Sequence, residues 1–337
     1  MKLSHRYALN LCMLACWWLS PSLQADELPS EVTIATWNLE WFFDANQGDN
    51  RSPLARAQSA PSEKEWHWKR DHVAEVIAQL KPTILALQEI ENRQVLRELT
   101  QQLESKHQLK YRIAFVEGWD TYTEQDVAVL YQGGLVQYSR HEQSRDMFES
   151  REYYNVSKHL VTRFRWQSGD HTEQLTLVNV HFRAGQRGAS LRQRQAKLIR
   201  HWIDPHVRRG ENVVVIGDVN SDEDCQQPDI ACEVGLLCGR TQPAALQLTD
   251  LHRHLQPGQQ ATHMIGKQFD RILISPSMQQ DDPEKRDLVF ESIRSGKKLV
   301  VRGQQTDTEH RDIYYKISPQ ERDVSDHYPL IATFKTR

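Results

Sequence analysis

Asn212-Val213-Val214-Val215-Ile216-Gly217-Asp218-Val219-Asn220 is the stretch on which the reading of this chain turns. Asn212 to Ile216 reads as a short apolar strand, of the kind buried on both faces. A carboxylate and an amide, Asp218 and Asn220, follow it directly. The same arrangement recurs on either side. Val32 to Trp37 reads as a strand and closes on Asn38, and Thr83 to Leu87 runs into Gln88-Glu89. Leu175 to Phe182 carries His181 near its end. Asp270 opens the strand Arg271 to Ile274, and Asp326-His327 precede the strand Leu330 to Phe334. Polar groups at strand ends can converge at one edge of a sheet core, on a rigid support.

The segments between these strands complete the architecture. Glu63 to Leu80 reads as a helix with Val73, Val76, Ile77 and Leu80 on one face, stopped by Lys81-Pro82. Leu191 to Trp202 reads as a second helix, with Leu191, Leu198, Ile199 and Trp202 facing inward. Val127 to Tyr131 is another strand. Leu160 to Trp166 alternates apolar and polar residues, as a half-buried antiparallel strand does. Asp44 to Ser62 reads as a long loop and Asp281 to Val324 as a long, poorly periodic insertion. Many strands with interspersed helices point to two packed sheets flanked by helices.

Composition sets the outer bounds. The chain has 337 residues, 42 Lys+Arg against 45 Asp+Glu, and 39% hydrophobic residues. This excludes a disordered chain, a multi-pass membrane protein and a strongly basic protein that wraps nucleic acid by bulk charge. Residues 1–25 have the layout of a secretory signal peptide: a basic start at Lys2 and Arg6, an apolar run from Ala8 to Leu19, and a small residue, Ala25, before Asp26. The expectation is a periplasmic or secreted protein whose mature chain, residues 26–337, is a single domain with no stable membrane insertion and no obligate protein partner. Of the five cysteines, Cys12 and Cys16 lie in the leader. Cys225, Cys232 and Cys238 allow one disulfide with one thiol left over, and the spacing leaves the pairing open.

The strand-end residues share one chemistry. Glu, Asp and Asn supply hard oxygen ligands, suited to Mg²⁺, Mn²⁺ or Ca²⁺ rather than zinc. Two histidines can move or stabilise protons near neutral pH, and a carboxylate beside a histidine can fix its tautomer. The chain has no Ser-centred nucleophile elbow, P-loop or Gly-rich dinucleotide fingerprint. Metal-assisted attack by water is the reaction these groups fit.

Six motifs stand in order: Thr36-Trp37-Asn38-Leu39-Glu40, Leu87-Gln88-Glu89, Asn179-Val180-His181-Phe182, Ile216-Gly217-Asp218-Val219-Asn220, Phe269-Asp270-Arg271-Ile272-Leu273 and Ser325-Asp326-His327-Tyr328-Pro329. Together they resemble the endonuclease/exonuclease/phosphatase superfamily, the DNase I-like fold, from about Val32 to Phe334. The resemblance implies an α/β fold, a four-layer α/β/β/α sandwich of two mostly antiparallel sheets, with the site at one edge. It implies Glu89 as principal metal ligand with Asn38 and Asp326 in support, and Mg²⁺ or Mn²⁺ as cofactor, with Ca²⁺ also admitted. Asp218 would orient or deprotonate the attacking water and Asn220 would bind the phosphate. His181 would contact the phosphate, and His327, oriented by Asp270, would act as base or electrostatic stabiliser. Lys158 and Arg183 are further candidates for substrate contact. Tyr122, Glu124 and Asp126 all stand near the place where relatives carry a Tyr or acidic contact residue.

The expected function is a metal-dependent phosphodiesterase acting on nucleic acid, and the resemblance implies DNA cleavage that leaves 3′-OH and 5′-phosphate ends. Two alternatives compete: a phosphomonoesterase or lipid/inositol-phosphate phosphatase on the same fold, and a catalytically silent binding protein. Several motif residues also have plainer readings. Asp270 suits a salt bridge with Arg271, and Asn179 suits a local hydrogen bond. Arg183, Arg187, Arg192 and Arg194 suit either a phosphate-tracking patch or a solvated helix face. For the aromatic and basic run Trp66 to Arg70, ordinary packing is preferred to a base-stacking surface.

Overall fold

Stretches rich in Val, Ile and Leu alternate with capped helices along the whole chain. A computed structural model describes residues 26–221 and 232–337. The leader and Asp222, Glu223 and Cys225 lie outside the described residues. The elements in order are β1 (Glu31–Phe42), α1 (Pro53–Gln58), α2 (Glu63–Leu80), β2 (Ile84–Ile90), α3 (Arg93–His107), β3 (Arg112–Phe115), β4 (Asp126–Tyr131), β5 (Leu135–Ser139), α4 (Arg145–Ser150), β6 (Lys158–Ser168) and β7 (His171–His181). Then follow α5 (Ala189–Arg208), β8 (Asn212–Asp218), α6 (Glu233–Cys238), β9 (Thr249–Asp250), β10 (Asp270–Ile274), β11 (Leu288–Ser295), α7 (Lys297–Val300), α8 (Asp307–Ile313) and β12 (Leu330–Thr336).

The strands form two six-stranded sheets, ordered β11-β12-β1-β2-β4-β3 and β5-β6-β7-β8-β10-β9. Both are mixed. β1–β2 and β7–β8 are parallel, and the remaining pairs are antiparallel. A parallel pair needs a crossover, which α2 supplies in the first sheet and α5 in the second. The Ser62 hydroxyl accepts from Glu65 N–H to start α2, and Lys81, left-handed at φ 48°, ends it before Pro82.

Three apolar clusters hold the layers together. Val73, Ile77, Leu96 and Leu99 of α2 and α3 pack on Trp37 and Leu87 of the first sheet. Ile34, Ala86, Leu177, Ile216 and Phe334 pack between the sheets. Leu198, Ile199 and Ile203 of α5 pack on Val178, Val213 and Val215 of the second sheet. Three interfaces make four layers, the α/β/β/α sandwich expected above.

The two parallel pairs also explain where the site lies. Their crossovers place the C-terminal ends of β1 and β2 at one edge, carrying Asn38 and Glu89. The ends of β7 and β8 carry His181 and Asp218. Antiparallel β10 begins at that edge, so Asp270 pairs with Asp218. β12 also begins there, opposite the end of β1, with Thr36 paired to Leu330.

Most expected elements are present with wider bounds, but the end of the chain differs. Asp281 to Val324 is not all insertion. β11 within it is a full strand on the edge of the first sheet, paired with β12. Its exposed face carries Glu291 and Arg294, so an edge strand wetted on one side lacks the apolar run that betrays a buried one. α3, β3 and β5 are further elements of the described chain beyond the segments read from sequence, and α1 lies inside the Asp44 to Ser62 loop. Cys232 is disulfide-bonded, whereas Cys238 is a free, buried thiol.

Two polar devices cross the layers. The Asn179 amide of β7 donates to Leu87 O and Ala128 O of the opposite sheet, at 3.0 and 2.9 Å, and accepts from Gln88 Nε2 at 2.7 Å. It is an inter-sheet clamp, not the local bond its position suggested. His310 of α8 places Nδ1 2.8 and 2.9 Å from the Glu40 carboxylate, with Asp323 3.9 Å from its Nε2. Burial alone would depress this imidazole, but the charge of Glu40, then the bond to Asp323, raises it to about 10. The pair pins α8 to the end of β1. Lys69 of α2, fully buried, stands 3.9 Å from the same Glu40 and donates to Val324 O at 2.7 Å.

Two outcomes follow from these devices. Asn179→Ala takes the amide donor from Leu87 O and Ala128 O and leaves the Gln88 amide only its Thr36 partner, and should cost about 1–3 kcal/mol in denaturant unfolding; an unchanged midpoint would show that the clamp is dispensable. His310 binds its proton more tightly folded than unfolded, so its contribution is complete below pH 6.5 and lost as pH rises through about 10. The thermal-stability gap between wild type and His310→Gln should therefore be widest at or below pH 6.5 and narrow toward pH 10. A gap that does not vary with pH would mean an uncharged His310.

Candidate active site

The bend in β8 sets the geometry. Gly217 has φ 128°, and a Cβ there would lie 2.1 Å from Val180 O of β7, so only glycine fits. Asp218 follows, paired in register with His181 on one side and Asp270 on the other. Asp218 Oδ2 accepts from Asn38 Nδ2 at 3.0 Å. It also lies 3.5 Å from His181 Nε2 and 3.8 Å from His327 Nε2. Its Oδ1 accepts from Asn220 N–H at 2.8 Å, and Asn220 Nδ2 donates to Phe182 O at 3.2 Å.

The first sheet supplies the other half. Asn38 Nδ2 also donates to Glu89 Oε1 at 3.1 Å, and Trp41 N–H donates to Glu89 Oε2 at 2.9 Å. This second bond depends on a backbone irregularity. Asn38 pairs with Gln88 and Phe42 with Ile90, so three residues of β1 face one residue of β2. Glu40, Trp41 and Glu89 all take left-handed φ values, 51°, 50° and 61°. Such a bulge re-aims side chains, and here it turns Glu89 toward His181, whose Nε2 is 3.9 Å from Oε1.

The lead-in to β12 closes the site. Ser325 Oγ donates to Asn38 O at 2.8 Å, and Trp37 Nε1 donates to His327 O at 3.0 Å. Asp326 N–H donates to Glu40 Oε2 at 3.0 Å. Asp270 Oδ2 holds His327 Nδ1 at 2.8 Å. Asp270 therefore serves His327, not Arg271, which pairs with Asp250 at 2.8 Å.

The two imidazoles differ in charge state. His181 is held well below the ordinary histidine value by burial, then by the charges of Lys158 and His327, so it is neutral. For His327 burial opposes protonation, but the charges of Asp270 and Asp326, the Asp270 bond and the charge of Asp218 raise it well above that value. It stands as an imidazolium. Burial raises Asp218, with His327 pulling the other way. Burial and the charge of Asp326 push Glu89 up to about 7. Burial would also raise Asp326, but His327 and His263 hold it below the usual carboxylate range.

All eight proposed residues, Asn38, Glu89, His181, Asp218, Asn220, Asp270, Asp326 and His327, thus stand at one edge of the two sheets. The substrate-contact candidates differ. Lys158 is buried beside His181 in register, and its Nζ is engaged by Gln125 Oε1 at 3.1 Å and Asp120 at 3.4 Å. Its charge reaches the site, but its ammonium is already bonded. The arginine patch divides. Arg183 and Arg187 are exposed, whereas Arg192 is buried against Glu233 at 2.9 Å and Arg194 donates to Tyr153 O. Trp66 and Lys69 are buried, and Trp68 stacks under Arg322, so this run packs. Tyr122 is exposed, Glu124 accepts from Arg51 N–H, and Asp126 is buried on Gly118 N–H.

The structure adds residues to this set. His263 stacks edge-on to His327 with ring centroids 4.5 Å apart, and its Nε2 lies 3.4 Å from Asp326. It falls in an aperiodic stretch, where nothing local distinguishes it from a surface histidine. Glu40 closes the first motif and Trp41 follows it, and only the bulge makes them part of the site.

The donor set suits a hard cation. Among the described residues, His263, Asp326 and His327 bring ligand atoms within 4.8 Å of one another, as do Asp44, Asp49 and Glu91 just beyond the ends of β1 and β2. Asp326 Oδ1 is buried without a hydrogen-bond partner. Glu89 and Asp326 repel one another across the same space. A divalent ion held between them would satisfy the orphan oxygen and relieve that repulsion. Asn38 presents its amide nitrogen here, its Oδ1 being taken by Glu40 N–H at 3.0 Å, so it aligns the carboxylates.

Comparison with known proteins bears on the whole chain. The sequence pattern described as the endonuclease/exonuclease/phosphatase family matches residues 33–334. A search of curated proteins finds no match. Solved structures share the fold at low identity. An endonuclease/exonuclease/phosphatase from Bacteroides vulgatus is 16% identical with a TM-score of 0.55, over 92% of this chain and 100% of that one. The catalytic domain of human nocturnin, with a bound sulfate anion, is 14% identical with a TM-score of 0.54, over 92% and 96%. A humanized TDP2 of D. rerio is 15% identical with a TM-score of 0.53, over 91% and 100%. The match from the first sheet strand to the last, together with the shared two-sheet architecture, makes this chain a member of the endonuclease/exonuclease/phosphatase family, with the DNase I-like fold.

Proposed function

We propose that the chain is an exported, divalent-metal-dependent phosphodiesterase that hydrolyses nucleic acid by water attack. Members of its family are phosphoric-ester hydrolases. The observation that carries the finer reading is the Asp218 carboxylate flanked by a neutral His181 and a charged His327, with the Glu89 and Asp326 carboxylates beside them. Such a set activates water at one face of a phosphodiester and neutralises charge at the other.

Glu89 and Asp326 would hold the cation, which when bound supplies positive charge to offset the growing charge on the phosphoryl oxygens. The protein's own groups do the rest. Asp218 accepts the proton of the attacking water, steadied by Asn38 and Asn220. The His327 imidazolium, held by Asp270, offers Nε2–H to a phosphoryl oxygen. Neutral His181 is held beside Asp218 to contact the phosphate. Attack forms one P–O bond and breaks another in line; the leaving oxygen takes a proton from solvent water, and Asp218 returns its proton to solvent.

Export rests on the leader layout, and two observations support it. Asp26 is already built into the domain, its carboxylate accepting from Gly134 N–H and its carbonyl from Gln167 N–H. A disulfide-bonded Cys232 suits an oxidising compartment. No helix among the described residues is long and apolar enough to cross a membrane.

Purified protein given plasmid DNA and Mg²⁺ or Mn²⁺ should nick it, and a chelator should stop the reaction. His181→Ala and Asp218→Asn should each lower kcat by roughly a hundredfold or more, Asp218→Asn with little change in metal affinity. Glu89→Ala should instead shift the metal dependence. Phosphate released from monoesters without nicking would replace the nuclease reading with a phosphatase. With Glu89 raised to about 7, part of the free protein carries that proton at pH 6.5. Mg²⁺ binding measured calorimetrically in buffers of different ionisation enthalpy should therefore release protons near pH 6.5 and few at pH 8.5. Proton release that does not change over this range would place the ion elsewhere.

A further inference from the structure

A cavity of about 480 Å³ opens directly beside the Glu89 and Asp326 carboxylates. Its volume lies in the range of small-molecule sites. Trp41 and Tyr315, both half-exposed, give it two aromatic walls, and Ile313 and Pro61 add apolar surface. The side of the cavity made by α8 and the residues after it belongs to the segment between β11 and β12.

The cavity is built rather than incidental. Trp41 follows Glu40 in a pair of left-handed residues, at φ 51° and 50°. Neither is glycine, and such backbone is kept only where the surroundings over-determine it. Here the Glu40 carboxylate is tied to His310 and Asp326 N–H, and Trp41 N–H to Glu89. The strained turn carries the Trp41 ring to the mouth of the catalytic edge.

The wall chemistry selects the occupant. Asp307, Asp312 and Glu40 join Glu89 and Asp326, so five carboxylates outnumber the three cations of the lining, Arg311, Lys316 and His310. A second phosphate is disfavoured there. A neutral planar ring bearing amino donors is favoured, since it can stack on the aromatic walls and donate to the carboxylates. We propose that this cavity is a nucleobase subsite, holding the base next to the scissile phosphate and fixing the register of the strand. This deepens the nuclease reading and rests on it.

The test is calorimetric binding, with Mg²⁺ present, of deoxyadenosine 5′-monophosphate and of 2-deoxyribose 5-phosphate, which lacks the base. Wild type should bind the nucleotide about tenfold more tightly, the scale of one base stacked on an aromatic ring. Tyr315→Ala and Trp41→Leu should remove most of that advantage, and Tyr315→Phe should retain it. Equal affinity for the two ligands in wild type, no binding of either, or an advantage undiminished in both truncated variants would overturn the subsite. A failed nuclease reading gives a different record: nucleotide preference intact, with plasmid left un-nicked by the same preparation.

Discussion

The site depends on one buried carboxylate. Asp218 lies between two strands, with His181 in the register of β7, Asp270 in the register of β10, and Asn38 and His327 reaching it from the other sheet. A charge in that position is costly unless its neighbours answer it. His327 answers as an imidazolium, itself held by Asp270. Removing any member would leave a buried group unpaired, so the constellation stands as a unit. Gly217 makes the unit possible, because any side chain there would meet the carbonyl of Val180.

The two sheets contribute unlike chemistry to this edge. The first brings carboxylates, Glu89 and Asp326, together with the His327 imidazolium on the lead-in to β12. The second brings Asp218 and the neutral His181, with the buried Lys158 ammonium behind. The amides of Asn38 and Asn179 cross between the sheets, one at the site and one in the core. The apolar layer between the sheets thus does more than stabilise the domain. It sets the distance at which the two halves of the chemistry face one another, and close packing keeps that distance from drifting.

The segment after β10 builds onto the first sheet and one side of the site. β11 extends the first sheet, and α8 folds back so that His310 meets Glu40 at the end of β1. A loop joined to the site by a buried ion pair keeps a wall of the neighbouring cavity in place.

Much of the molecule was legible in the chain. Apolar runs ending in Asn38, Glu89, His181 and Asp218 revealed the strands and the candidate residues at their ends, because a sheet core demands uninterrupted apolar residues and a polar group at its border stands out. The spacing of Val73, Val76, Ile77 and Leu80 fixed α2 for the same reason. β11 escaped, since an edge strand wetted on one face has no such run. His263, Trp41 and Glu40 escaped as members of the site, since each is placed by contacts with residues far along the chain. The sequence by itself determined which groups are chemically able to act and the order in which they arise. Only the tertiary structure decided that Asp270 serves His327 rather than Arg271, that Lys158 is already engaged, and that one histidine is neutral while the other is charged. Those outcomes depend on burial and on neighbouring charge, and both come into being only when the two sheets close on each other.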